Sequence, residues 1–145
     1  GLIFFKDKDY FLDLQNKCFK EQQIRDFLTE IGIAIFDTAY QVKRLQGNAS
    51  DKFLEIVTAT DLSQLLGQIP MCHTIMTTGD KATDTLMQHF PEQINKPMIG
   101  QSVQVNYANR ELNLYRLPSS SRAYPLALDK KADAYQQFFQ AIELL

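Results

Sequence analysis

The chain has 145 residues, 45% hydrophobic and 22% charged, which suits one globular domain with a sizeable core and excludes disorder throughout. Fifteen Lys and Arg against seventeen Asp and Glu leave a net charge of −2. This excludes a histone-like, strongly basic nucleic-acid binder, though not a local basic patch. No apolar run approaches the roughly 18–20 residues that span a bilayer, so no membrane partner is expected.

Cys18 and Cys72 stand far apart, outside any C-x-x-C pair, and the only histidines are His73 and His89. A disulfide scaffold and a cysteine- or histidine-rich metal site are excluded, and a reducing, cytoplasmic setting is expected. Gly1-Leu-Ile-Phe-Phe5 has neither the basic flank nor the full apolar stretch of a secretory signal.

In chain order, Leu2 to Phe5 is a short apolar run with no evident local partner. Ile24, Phe27, Leu28 and Ile31 recur at helical spacing and predict a helix over Phe19 to Ile31, with Gly32 as its C-terminal cap. Ile33 to Phe36 is continuously apolar and predicts a strand buried on both faces, ending at Asp37. Val42 to Ser50 reads as a loop, and Asp51 to Val57 as a short helix or strand. Asp61 to Leu66 reads as a short helix capped by Thr60 or Asp61. Thr74 to Thr77 predicts a second buried strand closed by Gly79, followed by a helix over Asp80 to Phe90 that Pro91 stops. Ser102 to Leu117 alternates in two halves and predicts a hairpin turning near Asn109-Arg110. A serine loop follows, Leu117 to Arg122, and then a closing helix from Leu128 that gathers Ala132, Tyr135, Phe138, Phe139 and Ile142 on one side. Alternating strands and helices indicate an α/β class, a three-layer α/β/α domain around a mostly parallel sheet, spanning residues 1–145.

Chemistry collects in few places. Lys96 to Lys131 holds six Lys and Arg against two Asp and Glu, a local +4 that leaves −6 for the rest. Ser119, Ser120, Ser121 and Arg122 lie within this stretch and read either as a phosphate cradle or as a solvated loop with capping serines. Asp37, at the carboxyl end of a predicted strand, reads as a ligand-facing carboxylate or as a cap of the next turn. Thr77-Thr-Gly-Asp-Lys-Ala82 lacks Walker spacing. Its Gly79 serves close packing in any strand-to-helix join. The two neighbours Cys72 and His73 would point to opposite faces of a strand, which disfavours a shared metal. Met71, Met76, Met87 and Met98 read as core fillers. A serine hydrolase lacks its G-x-S-x-G elbow here.

Three blocks, in this order, resemble the uracil-DNA glycosylase superfamily. Gly32-Ile-Ala-Ile-Phe-Asp-Thr-Ala-Tyr-Gln-Val-Lys-Arg44, with Gly47-Asn-Ala-Ser-Asp51, is similar to the strand-and-loop block whose strand ends in Asn or Asp. Thr74-Ile-Met-Thr-Thr-Gly-Asp-Lys-Ala82 is similar to the central strand, glycine and following helix. Leu117-Pro-Ser-Ser-Ser-Arg-Ala-Tyr-Pro125 is similar to the second signature, the Pro-Ser loop that inserts at a lesion, in the form carried by hypoxanthine-DNA glycosylase-like proteins. The resemblance covers Phe19 to Leu145. It implies a DNA-repair hydrolase that flips a deaminated base, uracil or hypoxanthine, out of the duplex and cleaves its N-glycosidic bond with water, using no metal or organic cofactor. By position, Asp37 would read the base edge. Ser119, Ser120 and Ser121 would grip flanking phosphates, and Arg122 or Ser121 would stand where an inserting side chain does.

Nothing before Phe19 matches the family's first signature, which carries the water-positioning residue, so the resemblance assigns no catalytic residue. Leu117 stands where other branches have His, and the inserting Leu is absent. The expectation is a chain that lacks an N-terminal segment of its gene product, is inactive alone, and forms a homodimer covering an exposed sheet edge. The alternatives are a non-catalytic nucleic-acid-binding relative and an unrelated small α/β hydrolase.

Overall fold

A computed structural model describes residues 1–45, 54–90 and 94–145. The chain forms two compact units, one of Gly1–Phe36 with Ala127–Leu145 and one of Asp37–Leu126.

In the first unit, a one-turn helix α1 (Leu2–Phe5) precedes two short antiparallel strands, β1 (Leu12–Asp13) and β2 (Cys18–Phe19). Helix α2 (Glu21–Ile31) begins two residues later than its periodicity suggests, because Cys18–Phe19 pair with β1 instead. Its apolar stripe Ile24, Phe27, Leu28 and Ile31 is half-buried, as predicted. Gly32 ends it in the left-handed region, φ 79°, and the Ile33 N–H donates to Leu28 O at 2.8 Å. Helix α5 (Leu128–Ala141) buries Phe138 and Phe139. The Leu2–Phe5 run finds its partners here. The Phe4 ring lies 5.1 Å from Phe27 and 5.1 Å from Phe139, edge to face in both cases. Both ends of the chain thus contribute to one aromatic cluster, which no local pattern could reveal.

The second unit contains a two-stranded ribbon and a three-stranded sheet. Strands β3 (Ala39–Arg44) and β4 (Leu54–Ala59) pair antiparallel with irregular register near Ala39 to Val42. This corrects two readings. Val42 to Arg44 belongs to a strand, not a loop, and residues 46–53 lie outside the described residues. Ile33 to Phe36 is not a strand: it runs irregularly, with Ile35 72% and Phe36 56% exposed. An apolar run forms a strand only where a ladder partner reaches it, and β4 pairs with the segment that follows, Ala39–Arg44, instead.

Helix α3 (Leu62–Gln68) starts at Asp61, whose carboxylate accepts from the Gln64 N–H at 3.0 Å. Strand β5 (Thr74–Thr78) leads through Gly79 into α4 (Asp80–Met87). The helix ends three residues short of Phe90, which is still buried through the following turn. Strands β6 (Ser102–Tyr107) and β7 (Arg110–Leu117) form the predicted hairpin. The sheet order is β5-β7-β6, with β5 parallel and β6 antiparallel to β7. The protein is therefore a mixed helix-and-strand fold, and its described parallel pairing is β5 with β7. Leu62 and Leu66 from α3, Leu86 and Phe90 from the α4 region, and Val105, Leu112 and Leu114 from the hairpin make its core. Met71 and Met98 are not core fillers: they are 87% and 68% exposed, in connections at the sheet's margins. Among the described residues no helix is long and apolar enough to cross a membrane.

The hairpin turn is Ala108-Asn109, one residue earlier than the sequence suggests, and both residues have positive φ, 49° and 63°. A two-residue turn of this kind favours Asn-Gly, and alanine is strained in it. Ala108→Asn should therefore stabilise the protein by about 0.5–1 kcal/mol, read as a higher urea midpoint with an unchanged slope.

Candidate functional site

In open α/β sheets, ligands meet the carboxyl ends of parallel strands. Here those ends are Thr78 of β5 and Leu117 of β7, which are register partners. The Gly79 N–H extends the ladder by donating to Leu117 O at 3.0 Å. Gly79 has φ 109° and ψ 168°, a conformation essentially reserved for glycine. A Cβ at Gly79 would stand 3.3 Å from Ser119 Cβ. Glycine is required there twice, for its backbone angles and for the approach of the serine loop.

That loop is built by its own side chains. Pro118 is buried, Ser119 and Ser121 are half-buried, and Ser120 and Arg122 are exposed. Ser119 Oγ accepts from the Ser121 N–H at 3.2 Å, and Ser121 Oγ accepts from the Ala123 N–H at 3.2 Å. The Tyr124 N–H donates to Ser121 O at 3.1 Å. Accepting an amide occupies a lone pair, whereas a hydroxyl also carries a donor hydrogen. Two serine turns in succession thus fix hydroxyls of a kind that suits an acceptor-only group such as a phosphate oxygen.

Beside the loop lies an ion cluster that sequence spacing does not reveal. Asp80, in the first turn of α4, receives hydrogen bonds from Lys96 Nζ and from Arg116 Nη2, the latter at 2.8 Å. Lys96 also pairs with Asp84 at 2.6 Å. Arg116 Nη1 donates to Pro97 O at 3.2 Å, and its Nε is buried without a hydrogen-bond partner. The Lys96 hydrogen bond holds the Asp80 carboxyl below the ordinary carboxylate range, and the same two carboxylates raise the Lys96 ammonium. The only local signal was Asp80 and Asp84 at i, i+4 on one helix face.

This arrangement revises the basic stretch. Lys96 and Arg116 are neutralised by carboxylates from outside it. Arg110 reaches the end of α3, donating to Leu66 O and Ile69 O at 3.1 Å each. It is a helix C-terminal cation, not a ligand-facing one. Lys130 lies 4.0 Å from Asp133 on α5. The exposed cation on the serine loop itself is Arg122.

The structure brings together Ser119, Ser120, Ser121 and Arg122, but not Asp37. With Ile33 to Phe36 irregular, Asp37 does not end a strand; it is exposed ahead of β3. Its carbonyl accepts from Thr60 Oγ1 at 2.7 Å. Among the described residues no hydrogen bond or ion pair joins its carboxylate to the serine loop. His73 is exposed just before β5, its Nδ1 2.9 Å from Thr74 Oγ1, and Cys72 packs against the core. Among the described residues no three His, Cys, Asp or Glu side chains gather as metal ligands would.

Two outcomes follow from this geometry. Gly79→Ala should cost about 2 kcal/mol, measured as a lower urea midpoint, because it adds backbone strain and displaces Ser119. The Asp80 cluster should be lost in acid. Asp80 is lowered in the folded state, so its contribution is full above the ordinary carboxylate range and disappears as pH falls through its lowered pKa. The midpoint difference between the wild type and Asp80→Asn should then be flat near neutrality and close below that range.

No family model matches the chain, and no curated protein or solved structure matches it closely enough to show kinship, so the site is read from its own geometry.

Proposed function

We propose that this chain grips DNA for a base-excision glycosylase reaction that hydrolyses the N-glycosidic bond of a deaminated base, uracil or hypoxanthine. The observation that carries the reading is the junction of Gly79 and Ser119 at the carboxyl ends of the parallel pair β5 and β7. Two blocks that resemble the glycosylase superfamily, far apart in sequence, lie side by side there.

A nucleotide leaves the stack only if the strand on either side of it is held, which calls for fixed donors to phosphate oxygens. Ser119, Ser120, Ser121 and Arg122 supply hydroxyl and guanidinium donors on a loop stiffened by its own serine turns. Water attacks the sugar as the bond to the base breaks, and preorganised donors stabilise the charge on the departing base. The residues that position this water belong to a first signature that the chain does not match, so no residue is assigned that role. Asp37 is the candidate reader of the base edge only by its place in the block that resembles the family, not by any contact with the serine loop among the described residues. Ionised, it only accepts, which favours a base presenting an N–H. No cofactor enters the scheme. A three-layer α/β/α arrangement belongs to this reading, with β7 as its central strand. So does a homodimer in which a second copy covers the sheet edge at β5.

The test is base release by the longest product of the gene from duplexes carrying one uracil or one hypoxanthine, read as strand breakage after alkali. Cleavage of either duplex supports the reading; DNA binding without cleavage points to a non-catalytic relative, and neither activity overturns it. Arg122→Glu should weaken binding alike for all sequences and lower the slope of log affinity against log salt by about one.

A further inference from the structure

We propose that Asp80 is a positioning residue for the serine loop, acting through Arg116 and Lys96 without itself touching DNA. This rests on the DNA-gripping reading. An exposed carboxylate beside a phosphate grip repels the ligand, so its presence there asks for another role. The geometry supplies one. The Gly79 N–H is bonded to Leu117 O, and the next residue on each side closes a second link, Arg116 Nη2 to Asp80. These two links form a ring at the base of the loop, which departs at Pro118.

Arg116 is held through its backbone and through both terminal guanidinium nitrogens. Its N–H donates to Gln101 O at 3.0 Å, its carbonyl accepts from the Gly100 N–H at 2.7 Å, and Nη1 is held by Pro97 O. Its side chain is 18% exposed, and its Nε is buried without a partner. Leaving a buried N–H unmet is costly, so a guanidinium kept in this position is held there by its other contacts. Such a side chain cannot swing out to a phosphate; it transmits the position of α4 to the end of β7. Lys96 ties the same carboxylate to Asp84, one turn along α4.

The experiment compares the full chain with Asp80→Asn, Asp80→Glu and Lys96→Gln by amide hydrogen exchange and by anisotropy with a fluorescein-labelled duplex across a salt series. Asp80→Asn should speed exchange about tenfold at Ser121, Ala123 and Tyr124 while leaving Leu112 and Leu114 unchanged. Affinity for the duplex should fall several-fold with the salt slope unchanged, since no phosphate contact is removed. Asp80→Glu should restore part of both effects. Lys96→Gln should give a smaller change at the same amides, and it carries the test if Asp80→Asn does not fold. Unchanged exchange at those amides overturns the proposal. So does tighter binding with a steeper slope, which would make Arg116 and Lys96 phosphate ligands masked by Asp80. If the wild type does not bind the duplex but the exchange responds as expected, the positioning role stands and the DNA reading falls.

Discussion

Strand β7 is hydrogen-bonded along both edges, parallel to β5 and antiparallel to β6, and it carries the largest fully buried side chains among the described residues, Leu112 and Leu117. The arrangement of the second unit depends on this strand. Its Leu112 and Leu114 meet the helices α3 and α4 in one core, and its first residue, Arg110, closes the end of α3. Arg116 continues the face of Leu112 and Leu114, which brings it to the start of α4. Leu117 accepts from Gly79, and the serine loop leaves from that point. One buried strand therefore fixes both helices, the glycine turn and the loop.

Electrostatics and packing act together at that end of the sheet. A count of charges along the sequence puts a positive patch around the serine loop, but a charge count does not distinguish a cation that faces a ligand from one that holds the fold. Arg110 answers helix carbonyls, and Lys96 and Arg116 answer Asp80 and Asp84. What remains on the loop is Arg122 together with serine hydroxyls held by local turns. The proposed grip, made of hydroxyls and one guanidinium on a chain of net charge −2, would depend less on bulk attraction than on having its donors already in place.

The first unit follows a different principle. Its helices bury no residue completely except on α5, and its cohesion lies in edge-to-face rings contributed by Phe4, Phe27 and Phe139. Ring pairs of this kind join segments from the two ends of the chain, so this unit closes only when the last helix is present.

The sequence by itself determined the elements whose reasons are local. Helical spacing and a glycine cap marked α2, a cap at Thr60 or Asp61 marked α3, and alternation marked the hairpin, with errors of one to three residues at the ends. The serine loop and the glycine beside β5 were also legible, because each depends on turn chemistry within a few residues. Tertiary structure decided the rest. Ile33 to Phe36 has the composition of a buried strand and is not one, because a strand requires a ladder partner and β4 pairs with Ala39–Arg44. Met71 and Met98 are exposed, since an apolar side chain is buried only where its backbone faces a core. Asp37 loses its place at a strand end for the same reason as the run before it. The Asp80, Lys96 and Arg116 cluster and the contact of Gly79 with Ser119 join residues far apart in sequence. Such contacts follow from strand order and register, which no periodicity within a single segment encodes.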